Sequence, residues 1–176
     1  IITLPHRQQN THFSCYVIEI EKLHFFASVY FSHAIVTYLV NKYAPDDELY
    51  PADPQPRAMV DQRLYFDSGS LFTGLRMAVG DLQSGNKCIR AEIISRITSS
   101  YEFTEMFLTS DWIAGDHLTL ADICCVATIS SLNAVFPIDS DLYPNLKAWI
   151  QRCSELDFYK ACNEPGLALF KEAMFA

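Results

Sequence analysis

Thr119-Leu120-Ala121-Asp122-Ile123-Cys124-Cys125-Val126 opens the stretch that decides the fold of this chain. Asp122 follows Thr119 at the spacing of a capping box, with Asp in the role usually held by Glu. The helix predicted over about 120–135 carries Asp122 as its only charged residue. A helix that is apolar on all sides is buried centrally. We therefore predict a bundle built around this helix, and we assign Asp122 to capping rather than to catalysis.

The sequence on both sides of this stretch is also helical in pattern. Ser32 is a suitable N-cap for one helix, and Asp53 followed by Pro54 is a suitable start for another. Gly69 and Gly74 lie inside the second of these, where each costs about 1 kcal/mol relative to Ala unless a kink or close packing requires it. Periodic apolar residues predict helices over 32–43, 54–79, 88–109 and 143–156, with a short terminal helix after residue 165. The predicted fold class is all-α.

Residues 1–31 do not share this pattern. They show no helical period, and the strand-like segment 16–20 has no turn or helix that would complete a βαβ unit. We therefore divide the chain into an unassigned N-terminal segment, residues 1–31, and a helical domain, residues 32–176.

Composition excludes several classes of function. The 176 residues contain 13 Lys and Arg against 21 Asp and Glu, a net charge of −8. No basic cluster is present, so we expect no nucleic-acid partner and no polybasic membrane anchor. No apolar run approaches the length of a spanning helix. The six cysteines form no C-x-x-C pair, so we expect no metal site and reduced thiols.

Three stretches resemble the C-terminal helical domain of a cytosolic glutathione transferase. Residues 32–39 resemble the family segment E-S-x-A-I-x-x-Y-L, residues 46–58 the linker D-x-L-Y-P-x-D-x-x-x-R-A, and residues 112–122 the capping motif A-G-x-x-x-T-x-A-D. Residues 64–72 are most similar to the insect epsilon class and next to the delta class. The resemblance covers about residues 32–176 and implies a helical bundle of the glutathione transferase type.

The resemblance does not extend to residues 1–31. In this family an N-terminal thioredoxin-like domain supplies most of the glutathione site, including the Ser or Tyr that activates the thiol. Residues 1–31 match none of it, and Phe31 stands where the family has Glu. We expect this domain to be largely absent and residues 1–31 to be a remnant or foreign sequence. The catalytic residue is left unknown.

The resemblance assigns glutathione binding to Ser32. A Ser at a helix N-terminus offers its hydroxyl and backbone N–H groups to a carboxylate, assisted by the helix dipole. Plain N-capping explains the same residue equally well and is compatible with binding. His33 beside it is expected to be solvated. No cofactor is expected; glutathione is a co-substrate.

The resemblance implies an electrophile site on the helix that begins near residue 54. Four residues are assigned to this site because their helical spacing places them on one side of the helix: Phe72, Leu75, Arg76 and Val79. Core packing is the alternative for Phe72 and Leu75. For Arg76 the alternative is a solvated residue paired with Asp67 or Asp81.

The function implied by the resemblance is conjugation of glutathione to hydrophobic electrophiles in detoxification, in a cytoplasmic homodimer. We expect this activity to be impaired in the chain. The alternative is a non-catalytic helical module for dimerisation or for binding hydrophobic molecules. A third and more remote hypothesis is the transferase-like helical domain that is appended to translation factors or synthetases. Apolar residues that the family dimer would cover, around Met59, Leu64 and Phe66, are expected to stay exposed and to promote association.

Overall fold

The computed structural model describes residues 32–86 and 88–175, and in these ranges the chain is helical with no strand. The segment 1–31, including Phe31, lies outside the described residues. The α-helices are α1 Ser32–Tyr43, α2 Pro54–Phe66, α3 Phe72–Gln83, α4 Ala91–Phe107, α5 Leu120–Val135, α6 Pro144–Ser154 and α7 Glu164–Phe175. Two π-helical turns, Asp67–Leu71 and Tyr159–Asn163, precede α3 and α7.

Helix α5 is the centre of the bundle, as predicted. Nine of its sixteen residues are buried, and it contacts α2, α3, α6, α7 and the first π-turn. The predicted capping box of Thr119 and Asp122 is present at its start. The first N–H group of the helix, on Leu120, donates to the carbonyl of Leu49 in the linker at 2.8 Å. The linker therefore supplies a cap that the local sequence does not reveal.

The predicted helix 54–79 is longer than expected and is interrupted. It continues to Gln83, and the π-turn Asp67–Leu71 divides it into α2 and α3. Gly69 lies in that turn, and a Cβ atom at this position would meet no atom of another element within 4 Å, so close packing does not require this glycine. Gly74 serves close packing, because a Cβ atom at this position would lie 3.3 Å from Cγ1 of Ile97 on α4.

The prediction for α4 was wrong in two respects. The helix begins at Ala91 and ends at Phe107, shorter than 88–109. Its apolar periodicity also places Met106 on the inner side, but Met106 is 69% exposed, and the inner position near the helix end is occupied by the buried Thr104. Thr104 satisfies its hydroxyl by donating to the carbonyl of Ser100 at 2.7 Å, which allows a polar residue in this interior position.

Two of the three residues expected to stay exposed are covered by this chain itself. Leu64 is in the core, and Phe66 packs edge-on against Phe103 and Phe107. Only Met59 of the three is exposed, at 41%. The expectation about the cysteines also needs correction: Cys88, Cys124, Cys125 and Cys153 are free, whereas Cys162 is disulfide-bonded.

Within residues 32–86 and 88–175, none of the helices combines the length and the apolar character needed to cross a membrane.

Candidate functional site

Ser32 lies at the start of α1 and is exposed, so its hydroxyl is accessible to a ligand. Helix α1 itself has no buried residue and sits at the edge of the bundle. The orientation of Ser32 therefore depends on whatever ties the first turn of α1 to the core.

That tie is a hydrogen bond between the side chains of His33 and Asp67. The Nε2 atom of His33 lies 2.8 Å from Oδ2 of Asp67, and the two side chains are 22% and 4% exposed. The expectation that His33 is solvated was wrong. The pair joins the residue next to Ser32 to the π-turn that opens α3.

The second carboxylate oxygen of Asp67, Oδ1, is buried. No group among residues 32–86 and 88–175 donates a hydrogen bond to it. A buried carboxylate oxygen without a hydrogen-bond donor destabilises the folded state. The bond with His33 is therefore the contact in the described part of the chain that stabilises this carboxylate in the interior. The sequence contains only a weak indication of this pair. Asp67 is a single acidic residue in an otherwise apolar sector of the helix, and it lies 34 positions from His33.

Cys124 lies close to this carboxylate but is not a nucleophile. Burial, with a smaller contribution from the charge of Asp67, raises the pKa of Cys124 to about 12. The pKa of its neighbour Cys125 is raised for the same reasons. Both thiols are protonated at neutral pH, so neither supplies a thiolate.

The four residues of the proposed electrophile site do not share one environment. Leu75 is part of the hydrophobic core, and Val79 is half-buried against it. Phe72, for which core packing was the alternative, is 47% exposed, and Arg76 is also exposed. The surface that α3 offers to a ligand thus consists of Phe72 and Arg76, with Val79 at its margin.

Arg76 makes neither of the two ion pairs considered from the sequence. Asp67 is bonded to His33, and Asp81 accepts hydrogen bonds from the backbone N–H and the side chain of Arg90 at 2.9 and 2.8 Å. Among the described residues no other carboxylate pairs with Arg76. Its guanidinium is therefore available to a ligand.

The two candidate groups are connected through Asp67. Phe72 begins α3 directly after the π-turn that contains Asp67. Because Asp67 contacts His33, the start of α1 and the exposed part of α3 lie in the same region of the molecule. A ligand with a carboxylate at one end and an apolar group at the other could contact both.

Two polar cavities lie elsewhere on the surface. One, of about 400 Å³, is lined by residues between α4 and α6, including Asp111, Asp116 and Arg152. The other, of about 350 Å³, lies between the first π-turn and α4 and is lined largely by serines together with Arg96. Neither includes a residue assigned above to glutathione or to the electrophile.

The following similar proteins belong to one family. The family model described as "Glutathione S-transferase, C-terminal domain" matches residues 90–157. Glutathione S-transferase 1 of Manduca sexta is 52% identical over 149 residues, which are 82% of this chain and 67% of that protein.

Solved structures give the same result. Glutathione S-transferase isozyme E7 of Drosophila melanogaster superimposes with a TM-score of 0.79 at 40% identity, over 83% of this chain and 67% of that one. A glutathione transferase homolog of Drosophila mojavensis with bound glutathione gives a TM-score of 0.77 at 41% identity, over 83% and 68%. The chain thus spans 67 or 68% of the length of these relatives.

Proposed function

We propose, because this chain belongs to the glutathione S-transferase family, that its helical bundle binds glutathione at Ser32 and a hydrophobic electrophile along α3. The proposed partners are glutathione, small hydrophobic electrophiles and a second copy of the chain, and the proposed location is the cytoplasm. The Drosophila mojavensis relative contains bound glutathione, which supports the choice of ligand.

The observation that carries this proposal is the His33–Asp67 pair. An exposed Ser at a helix start is common, but here the adjacent residue is bonded at 2.8 Å to a buried carboxylate of the core. This bond fixes the first turn of a helix that otherwise lies at the edge of the bundle. A fixed helix N-terminus presents its hydroxyl and N–H groups to a carboxylate with little loss of conformational entropy on binding.

We further propose that conjugation by this chain is slow. The thiol of glutathione, with a pKa near that of free Cys at about 8.5, is only a few per cent ionised at neutral pH. Acceleration requires a donor aimed at the sulfur. Ser32 and Arg76 are proposed to contact the carboxylate and the electrophile instead, and residues 1–31 do not resemble the family segment that activates the thiol.

The test combines binding and rate measurements on the whole chain. Calorimetric titration with glutathione is expected to show saturable binding that is about tenfold weaker in Ser32→Ala, since a charge-assisted hydrogen bond is lost. Ser84→Ala, a matched change at the exposed serine that follows the C-terminal end of α3, should leave binding unchanged. Conjugation of 1-chloro-2,4-dinitrobenzene should proceed at close to the uncatalysed rate.

Two results would contradict the proposal. Equal affinity of Ser32→Ala and the unmodified chain for glutathione would remove Ser32 from the site. A fast, saturable conjugation rate that survives Ser32→Ala would show that a thiol-activating group is present and that conjugation is not impaired. Absence of glutathione binding together with retained binding of apolar dyes would favour the alternative function, a non-catalytic module for hydrophobic molecules.

A further inference from the structure

Serines form most of the lining of the cavity of about 350 Å³ between the first π-turn and α4. Ser70 comes from the π-turn, and Ser95, Ser99 and Ser100 come from α4. Ser100 is buried and donates its hydroxyl to the carbonyl of Arg96 at 3.0 Å. The hydroxyls of the other three serines form no hydrogen bond within residues 32–86 and 88–175. These three hydroxyls are therefore available to a ligand.

The side chain of Arg96 adds a positive charge to the same cavity, and it is exposed. Glu92 lies four positions earlier on α4, the spacing at which a glutamate and an arginine ordinarily pair. Here Oε1 of Glu92 lies 2.8 Å from Nη1 of Arg90 instead. Among the described residues no carboxylate pairs with Arg96. Its guanidinium therefore retains five N–H donors for a ligand.

The free donors reach the cavity from two elements. On α4, Ser95 and Ser99 are one turn apart, so their Cβ atoms are about 5–6 Å from each other. Arg96 follows Ser95 directly, and Ser70 approaches from the π-turn. A guanidinium alone satisfies the two oxygens of a planar carboxylate. A phosphate group has three strong acceptor oxygens, so a guanidinium together with hydroxyls on two sides matches phosphate better.

We infer that this cavity is a binding site for a phosphate group, in which Arg96 balances the negative charge and the three free serine hydroxyls donate to the remaining oxygens. A volume of about 350 Å³ is within the range of small-molecule sites, about 300–1,000 Å³. The cavity therefore has room for a phosphorylated small molecule as well as for free phosphate. It includes neither Ser32 nor a residue assigned to the electrophile, so the inference is independent of the proposed function.

The experiment follows the phosphorus NMR signal of the ligand during titration with the whole chain, in the absence of glutathione. The two probes are inorganic phosphate and glucose 6-phosphate. The variants are Arg96→Gln, Arg96→Lys and Ser99→Ala, all at exposed positions, and circular dichroism checks that each is folded. Lys147→Gln on α6 and Ser140→Ala in the loop before it are the matched controls, since both residues are exposed and lie outside the cavity.

Arg96→Gln is expected to weaken binding of both probes by about fivefold, the upper range for an exposed ion pair. Ser99→Ala should weaken it by about threefold, because one hydrogen bond is lost. Arg96→Lys should recover part of the loss, since it keeps the charge but not the planar set of donors. Neither control should change the affinity. Tighter binding of glucose 6-phosphate identifies a phosphorylated small molecule as the ligand, and equal or tighter binding of inorganic phosphate identifies the free ion; both orders support the site.

The inference is overturned if the unmodified chain binds neither probe, if Arg96→Gln binds both probes like the unmodified chain, or if Lys147→Gln causes the same loss. Ser32→Ala separates this site from the glutathione site, because a helix N-terminus can also bind an anion. Phosphate binding that survives Ser32→Ala supports the cavity, whereas its loss in that variant would place the anion at α1 and overturn the inference. Failure of glutathione to bind would remove the proposed function and leave this inference standing.

Discussion

Gly115 has a backbone conformation that side chains rarely adopt. Its φ is +153°, and it pairs with Trp112 in a short antiparallel bridge, with N···O distances of 3.2 and 3.3 Å, that leads into the cap of α5. Gly80 is the opposite case, since it lies inside α3 and a Cβ atom there would meet no atom within 4 Å other than those of its chain neighbours and the nearby backbone of α3. The two glycines look alike in the sequence but have different physical roles.

We predict that Gly115→Ala and Gly80→Ala have opposite effects on stability. Ala at position 115 is strained by the positive φ and should lower the free energy of unfolding by about 1–2 kcal/mol. Ala at position 80 should raise it by up to about 1 kcal/mol, because Ala is the better helix former. Urea denaturation of the two variants checks this, and a midpoint that is unchanged or raised in Gly115→Ala would contradict the assignment of strain to Gly115.

Asp81 provides a pH-dependent contribution at the start of α4. The pKa of Asp81 lies below its ordinary value of 3.8, chiefly because its carboxylate accepts a hydrogen bond from the backbone N–H of Arg90. Burial raises the pKa, whereas the side chains of Arg90 and Asn86 lower it further. Because the native pKa is depressed, the stabilisation is complete above the pKa of the unfolded chain. It is lost as the pH falls through the lower native value.

We therefore predict that Asp81→Asn lowers the melting temperature at pH 6 and that the difference from the unmodified chain shrinks between pH 4 and pH 2. The Asn side chain keeps one acceptor but no charge. Asp46→Asn, at an exposed acidic residue of the linker, serves as the control. A difference that stays constant down to pH 2 would show that hydrogen-bond geometry, rather than ionisation, is responsible.

At the scale of elements, the carboxylate of Asp122 stabilises the start of α5, and it accepts more hydrogen bonds than the capping-box motif implies. Asp122 is fully buried and accepts from the backbone N–H groups of Ile113 and Thr119, the hydroxyl of Thr119 and the indole N–H of Trp149 on α6, all at 2.8–3.0 Å. The capping box thus also joins α5 to α6 and to the loop that precedes it.

We predict that Asp122→Ala lowers the free energy of unfolding by about 3 kcal/mol or more, since it leaves several buried donors without an acceptor. Trp149→Phe, which keeps the ring and removes one bond, and Thr119→Ala should each cost about 1–2 kcal/mol. Asp141→Ala, at an exposed loop residue, should have little effect. Urea midpoints test the order, and an unchanged midpoint for both Asp122→Ala and Thr119→Ala would remove the capping argument.

At the scale of the whole molecule, α4 presents an apolar surface that the other described helices do not cover. Phe103 and Met106 are 50% and 69% exposed and lie three positions apart, on one side of the helix. Exposed apolar patches of this kind promote association. The expected association therefore involves these residues rather than Leu64 and Phe66, which are covered within the chain.

We predict that the chain self-associates in a concentration-dependent manner and that Met106→Glu reduces this association. Leu142→Glu introduces the same charge at a different exposed apolar residue, 65% exposed in the loop before α6, and should not reduce the association. Sedimentation velocity over a range of concentrations measures the effect. A monodisperse monomer at high concentration, or equal effects of the two variants, would contradict this prediction.

The sequence by itself determined the helices and the identity of the central one, because apolar periodicity, N-caps and prolines act within a few residues of one another. Asp53 caps α2 by accepting from Gln55 at 2.9 Å, and Thr119 with Asp122 caps α5, both as the local motifs predict. The resemblance in three short stretches also identified the family, since those motifs combine capping and linker residues that lie close together in the chain.

Only the tertiary structure decided which polar groups meet across long sequence separations. The pairs His33–Asp67, Asp122–Trp149 and the bond from Leu120 to Leu49 join residues 27 to 71 positions apart, and no local pattern encodes such contacts. It also decided that Phe72 and Arg76 face outward while Leu75 faces inward. The π-turn Asp67–Leu71 adds a residue to one turn and rotates α3 relative to α2, so the periodicity counted from residue 54 no longer gives the orientation of its side chains.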